Sequence, residues 1–299
     1  MGVQLIAPAQ SSTEAIISMP RLDQVLVTQG LADSRAHAQR LIGDARVRWH
    51  NGREWQTLKK AAYELDNTAL LELIPSDTDK YVSRAGMKLA GALAHTQLSI
   101  TGLNALDLGT STGGFADCLL QHGAAHVVGI DVGHDQLHTR LQTESRLTLF
   151  ENLNARHLDA EILAERWDDW ASDTGVRDLT PITHHFDLAV ADLSFISLTK
   201  ILPIFAPNEF SLLKPNGHIL MLVKPQFELD AEALSKAGIV KDPARYSEVQ
   251  SNIIQACLAQ HLTVLDYFES PITGTDGNRE FFVFAQFQPD SIIDIKETS

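Results

Sequence analysis

The stretch "ALDLGTSTGGF", residues 105–115, decides the architecture of this chain. Its apolar start reads as a strand, Gly109 to Gly113 as a tight turn, and Gly114 onward as the opening of a helix. Outward from it the same strand–helix rhythm runs from residue 81 toward the C-terminus. Strands are predicted at 103–108, 126–130, 147–150, 186–190 and 218–223, with helices between them, including 114–122 and 248–260. A last pair, 262–270 and 279–287, leaves no room for a crossover helix and is therefore predicted antiparallel. This alternation specifies an α/β chain of Rossmann-like type, an open and mainly parallel sheet covered by helices on both faces. Residues 165–185, "ERWDDWASDTGVRDLTPITHH", read as an acidic surface elaboration.

In such a sheet, ligands sit at the carboxyl ends of the strands. The turn reads Gly109-x-x-x-Gly113-Gly114, not the G-x-G-x-x-G of dinucleotide binders. Asp107 just before it would repel a pyrophosphate. S-adenosylmethionine carries no phosphate and has a cationic ammonium and sulfonium, so an acidic turn suits it. The second strand ends in Asp131, where a carboxylate can accept hydrogen bonds from both ribose hydroxyls. The cofactor reading therefore takes in Asp107, Gly109, Thr110, Ser111, Gly113, Asp131 and Val132. Asn154, after the third strand, is either an adenine contact or a simple turn asparagine.

The fourth strand delivers Asp192 to the same edge, while Asp187 starts that strand at the opposite edge and reads as structural. In "LMLVKPQFE", residues 220–228, the fifth strand ends at Lys224, fixed by Pro225. A hydroxyl is a poor nucleophile at neutral pH and needs a base. Lysine serves where partial burial and neighbouring cations depress its pKa. On strand position alone, Lys224 is equally a catalytic residue or a snorkelling strand-end lysine.

The 299 residues leave room for one medium domain and a small one, and 44% hydrophobic content supports a sizeable core. No apolar run is long enough to span a bilayer, and the first residues lack the basic start of a signal peptide. Two cysteines, Cys118 and Cys257, suit a reducing cytoplasm better than a disulfide framework. His134 and His138 have ligand-like spacing but no third partner, so they read as a solvated polar helix face and no metal is expected. The net charge is −14, yet residues 20–60 hold eight basic against four acidic side chains, +4, which leaves −18 for the rest. That basic window begins a small α+β module. Its first helix turns Leu22, Val25 and Leu26 inward, and its second is capped by Asp33 or Ser34 and buries Ala38, Leu41 and Ile42. A hairpin follows, turning at Asn51-Gly52.

Several quoted motifs carry a family resemblance. "RLDQVLVTQGLADSRAHAQRLI" resembles the RNA-binding domain named after ribosomal protein S-four. "YVSRAGMKL", "ALDLGTSTGGFADCLLQHGA", "DLSFISL", "LVKPQFE" and "PITGTDGNREFF", in that order, resemble the TlyA family, often described as haemolysins and similar to FtsJ-type ribose methyltransferases. The likeness spans residues 20–288. It implies a Rossmann-like class I methyltransferase fold, a mainly parallel seven-stranded sheet with an antiparallel last strand, preceded by a small N-terminal α+β RNA-binding domain. The implied boundaries are a leader at 1–19, the small domain at 20–75, a linker at 76–82, the catalytic domain at 83–288 and a tail at 289–299.

The implied activity is S-adenosylmethionine-dependent 2′-O-methylation of cytidine in ribosomal RNA, with ribosomal subunits as partners and the cytoplasm as location. The resemblance also implies a Lys-Asp-Lys-Glu tetrad at Lys88, Asp192, Lys224 and Glu280. Lys224 would be the base, Asp192 and Glu280 would orient it, and Lys88 would help to place the ribose. Asp192 also borders the cofactor. Arg21, Arg35 and Arg40 are the expected phosphate contacts. The small module departs from the family pattern at Ala45, where glycine is usual, and "VRWHNG" has one residue more before its turn. A membrane-active cytolysin would need amphipathic strands or a basic amphipathic helix, which the chain lacks. An assembly factor without catalysis is disfavoured by the intact acidic and basic set. Monomer and weak dimer remain equally compatible with the sequence.

Overall fold

A computed structural model describes residues 19–32, 34–76, 80–174, 185–208, 211–274 and 277–289. The expected leader and tail, and Asp33 as an alternative cap, fall on or largely on residues outside these. The chain divides into two units, Met1–Asp77 and Thr78–Ser299.

In the first unit, helix α1 (Leu22–Thr28) and helix α2 (Arg35–Gly43) precede three strands, β1 (Val47–His50), β2 (Trp55–Leu58) and β3 (Leu71–Leu73). Ser34 caps α2 by accepting the His37 N–H. The strands pair antiparallel in the order β2-β1-β3. Leu22, Val25, Leu26, Ala38, Leu41, Ile42 and Val47 form the core beneath them. The register His50↔Trp55 makes the hairpin loop four residues long. Asn51 Oδ1 holds that loop by accepting the Arg53 and Glu54 N–H groups, which accommodates the additional residue.

Ala45 adopts φ 57°, in the left-handed region. The fold keeps the turn for which glycine is usual and forces an L-residue into it. Left-handed backbone costs an L-residue roughly 1–2 kcal/mol, partly offset by glycine's greater entropy loss. Ala45→Gly is therefore expected to stabilise this unit by about 0.5–1 kcal/mol, readable as a higher denaturant midpoint with an unchanged slope.

The second unit starts with helix α3 (Arg84–Thr96). Then come β4 (Asn104–Leu108), α4 (Gly114–Gln121), β5 (His126–Ile130), β6 (Leu147–Phe150), α5 (Ala160–Thr174) and β7 (Phe186–Ala191). It ends with β8 (Leu213–Val223), the short helix α6 (Pro225–Glu228), α7 (Arg245–Leu258), β9 (Leu262–Glu269) and β10 (Phe281–Phe287). The seven strands order as β6-β5-β4-β7-β8-β10-β9. β4, β5, β6, β7 and β8 pair parallel, and β10 is antiparallel to both β8 and β9. The central strands are buried on both faces, and fully enclosed Phe186, Phe205, Phe282 and Phe287 each contribute about 1.5–3 kcal/mol by burial.

Three expectations need correction. The fifth strand of the sheet begins at Leu213, not 218, and Lys214 at its start pairs with Asp187 at 2.8 Å. Asp187 also accepts the Asn104 N–H, so it ties strand starts together as expected. Residues 165–174 are not a surface elaboration: they continue α5, and Trp167 packs against Phe150 and Trp170 in the core. The acidic charges mask a helix with an apolar stripe. Residues 175–184 lie outside the described residues. The expected linker also ends early, because Tyr81 is already buried in the core and the Val82 N–H is held by Asp117.

Candidate active site

The carboxyl ends of β4, β7 and β8 converge because these strands are adjacent and parallel. Register pairs Leu108 with Ala191 and Ala191 with Met221. Gly109 and Asp192 thus leave the sheet side by side. A Cβ on Gly109 would lie 2.9 Å from Leu193 and 3.1 Å from the Asp192 carbonyl, and its φ is +82°. Only glycine lets these two strand ends approach so closely.

A cavity of about 650 Å³ opens there, lined by Gly109, Thr110, Ser111, Asp131, Val132, Asn154 and Asp192 among others. Asp131 accepts the Ser111 N–H and the Gly133 N–H, each at 2.7 Å, which shapes the turn and leaves a lone pair on each oxygen for a ligand. Asn154 lines the cavity and also caps a turn by accepting the Arg156 N–H. Asp107 and Gly113 do not line the cavity. Asp107 is fully buried, with the Thr110 side chain and the Ala116 N–H near its carboxylate. Burial, then the nearby Asp192 charge, push its pKa up to about 7. Among the described residues Lys224 is the one Lys or Arg on the lining, and it is paired with Asp192. The cavity therefore fits a phosphate-free, cationic ligand such as S-adenosylmethionine.

A second cavity of about 400 Å³ adjoins it and shares Ala85, Asp192, Ser194, Phe195 and Lys224 with it. Lys88, Lys224, Asp192 and Glu280 all line this second space. Lys224 Nζ lies 2.7 Å from Asp192 Oδ1 and donates to Ser194 Oγ at 2.9 Å. Lys88 Nζ lies 2.5 Å from Glu280 Oε2. Two ion pairs therefore face one cavity, rather than three groups converging on Lys224. The β8–β10 register pairs Val223 with Phe281, so Lys224 and Glu280 leave the ladder at one level. Lys88 reaches them because α3 packs tightly on the start of α4: a Cβ on Gly114 would sit 2.2 Å from Ser83 Oγ.

Sequence reasoning missed Ser194, Phe195 and Gln226, which also line this cavity. Ser194 and Gln226 stand two positions beyond Asp192 and Lys224, and that spacing was the available signal. Phe195 is 91% exposed, with its ring centroid 5.1 Å from that of Phe227. Glu228 fastens the two loops together by accepting the Ser197 hydroxyl at 2.5 Å and the Leu198 N–H at 2.7 Å.

In the first unit, Arg21 and Arg35 both bond to the buried Asp23, joined by Gln39. These partners hold the Asp23 carboxyl well below the usual range despite its burial. Arg40 lies in the last turn of α2, exposed. His134 and His138 do not share a helix face, since the chain there is irregular and His138 caps a short turn. Among the described residues no three His, Cys, Asp or Glu side chains converge as a metal site, and no helix is long and apolar enough to cross a membrane. Both cysteines are buried free thiols whose pKa burial pushes up to about 12.

Residues 81–287 match the FtsJ-like methyltransferase family. The chain is 36% identical over 278 residues to the TlyA 16S/23S rRNA (cytidine-2′-O)-methyltransferase of Mycobacterium tuberculosis, covering 92% of this chain and 93% of that one. It is 34% identical to hemolysin A of Brachyspira hyodysenteriae, over 87% of this chain and 97% of the relative. A solved structure described as a hemolysin from Streptococcus thermophilus aligns with a TM-score of 0.65 at 31% identity, covering 92% of this chain and 90% of that one. With its strand order, its phosphate-free cofactor cavity and these relatives along nearly its whole length, the chain belongs to the FtsJ-like methyltransferase family, in its TlyA branch, whose methyl donor is S-adenosylmethionine.

Proposed function

We propose that this protein methylates the ribose 2′-hydroxyl of cytidine in ribosomal RNA. The observation that carries the reading is the meeting of the two cavities at Asp192, Ser194 and Lys224. An acceptor hydroxyl in the smaller space and a methyl donor in the larger one would face each other there.

When bound, S-adenosylmethionine supplies an electrophilic methyl group on a positively charged sulfur. Asp131 would accept from its ribose hydroxyls, and Gly109, Thr110, Ser111 and Val132 would form the wall around it. Asn154 would border the adenine. Asp107, buried and off the lining, would act on the charge balance of the turn without contact. Lys224 takes the proton of the 2′-hydroxyl as the oxygen attacks. Asp192 and Ser194 hold the amine so that its lone pair points at that proton, which is a positioning contribution. Lys88, held by Glu280, lies on the acceptor wall where it can steady the ribose or its phosphate. Phe195 offers an open aromatic face on which an unstacked base can rest.

The unit ending at residue 77 serves, in this reading, as the RNA-binding domain. Asp23 sets the guanidinium groups of Arg21 and Arg35 side by side, and Arg40 adds charge on α2. Such contacts position RNA without reading its sequence. The acidic remainder of the chain limits indiscriminate binding, and the reaction takes place where ribosomes are, in the cytoplasm.

The test is direct. Purified protein and labelled S-adenosylmethionine are incubated with small and large ribosomal subunits from cells lacking the enzyme, and nuclease digests are analysed by mass spectrometry. 2′-O-methylcytidine is expected in 16S RNA, 23S RNA or both. Subunits and naked ribosomal RNA that remain unmethylated would sink the reading.

A further inference from the structure

Gln226 lines the acceptor cavity two residues after Lys224, and no residue discussed so far uses it. Its carboxamide oxygen is buried and has no hydrogen-bond partner among the described residues. A buried acceptor left unpaired costs on the order of 1–3 kcal/mol. The side chain borders the cavity, and rotation about its terminal torsion turns the carboxamide oxygen toward that space, where a ligand donor fits.

The donors that an acceptor nucleotide can bring are few. Within an RNA chain the 3′- and 5′-oxygens are esterified, and the phosphates only accept. A cytidine at an internal position therefore carries two donor groups, its 2′-hydroxyl and the N4 amine of its base. The 2′-hydroxyl must face Lys224 to be deprotonated. The N4 amine is the one that remains.

We infer that Gln226 reads the base of the acceptor nucleotide, its Oε1 accepting a hydrogen bond from the cytosine N4 amine. The inference rests on the proposed cytidine substrate and deepens it, because it names the group that recognises the base. The surroundings suit this role. Phe195 and Phe227 flank the same cavity with apolar faces, so the base can stack while its edge meets the carboxamide. Ring stacking accepts any base, and hydrogen bonding to an edge adds the selectivity. Gln226 thus stands beside the catalytic lysine without taking part in the proton transfer.

The experiment is a cycle between protein and RNA. Once the target has been mapped, ribosomal RNA is assembled with either cytidine or the 2-pyrimidinone ribonucleoside at that site. The analogue lacks only the 4-amino group. Single-turnover methylation is measured for the wild type and for Gln226→Met, which keeps side-chain length and removes the acceptor. Gln226→Ala takes its place if the Met variant fails to bind S-adenosylmethionine.

Loss of the amine is expected to slow the wild type roughly 10- to 100-fold, the value of one well-made base contact. It should cost the Gln226→Met enzyme almost nothing, and cofactor affinity should be the same in both proteins. Gln226→Glu retains an acceptor and should retain the penalty. Equal penalties in the wild type and Gln226→Met would overturn the assignment while leaving the methyltransferase reading intact. A wild type that puts no methyl group on natural cytidine would instead remove both.

Discussion

Lys224→Ala is expected to lower methyl transfer by about 10²–10⁴-fold while S-adenosylmethionine binds with nearly unchanged affinity. The expectation follows from the position of the amine. Lys224 sits where the two cavities join, held 2.7 Å from Asp192 and donating to Ser194. Removing it widens the junction of the two cavities but leaves the turn at Gly109 and the Asp131 carboxylate in place. What is lost is the proposed acceptor of the hydroxyl proton. Lys224→Arg separates this role from simple charge pairing. A guanidinium can still pair with Asp192, yet it does not give up its proton near neutral pH, so Lys224→Arg should be nearly as inactive as Lys224→Ala. Single-turnover rates and a direct cofactor titration check both statements. A fully active Lys224→Ala enzyme would remove the lysine from the mechanism.

The largest effect on stability is expected at the other ion pair. Lys88 and Glu280 have side chains only 9% and 3% exposed. Taking away one partner strands a buried charge, which typically costs 3–5 kcal/mol. Lys88→Met and Glu280→Leu should each lower the unfolding free energy by about that much. The double variant should be more stable than either single one, because no charge is then left unpaired. Neither single variant is expected to methylate. Urea unfolding of the four proteins gives the cycle directly. Additive losses in the double variant would show that the two charges do not depend on each other for burial.

Much of the site could be read from strand ends. Asp131, Asp192 and Lys224 follow apolar runs that specify parallel strands, and residues just past such strands share one edge of the sheet. Lys88 and Glu280 carry no such local mark. Lys88 looks like an ordinary helix lysine and Glu280 like an edge-strand glutamate, and only family likeness singled them out. Their pairing arises because α3 and the start of β10, distant in sequence, come together over the end of β8. Asp107 differs in the opposite direction. Its place before the glycine turn suggested cofactor contact, whereas the side chain is fully buried and does not line the cavity.

The sequence by itself determined the α/β alternation, the small module before it, the antiparallel end of the sheet and the acidic, phosphate-free character of the cofactor turn. Those features are local: they depend on apolar periodicity, on turn residues and on charge within short windows. Only the tertiary structure decided that Lys224 pairs with Asp192 and Ser194, that Lys88 pairs with Glu280, and that Gln226 has a buried oxygen without a partner. It also decided that α5 runs through an acidic stretch, and that Ala45 holds a left-handed turn. Those features are set by which distant segments pack together, and burial assigns partners to side chains whose immediate neighbours in the chain do not specify them.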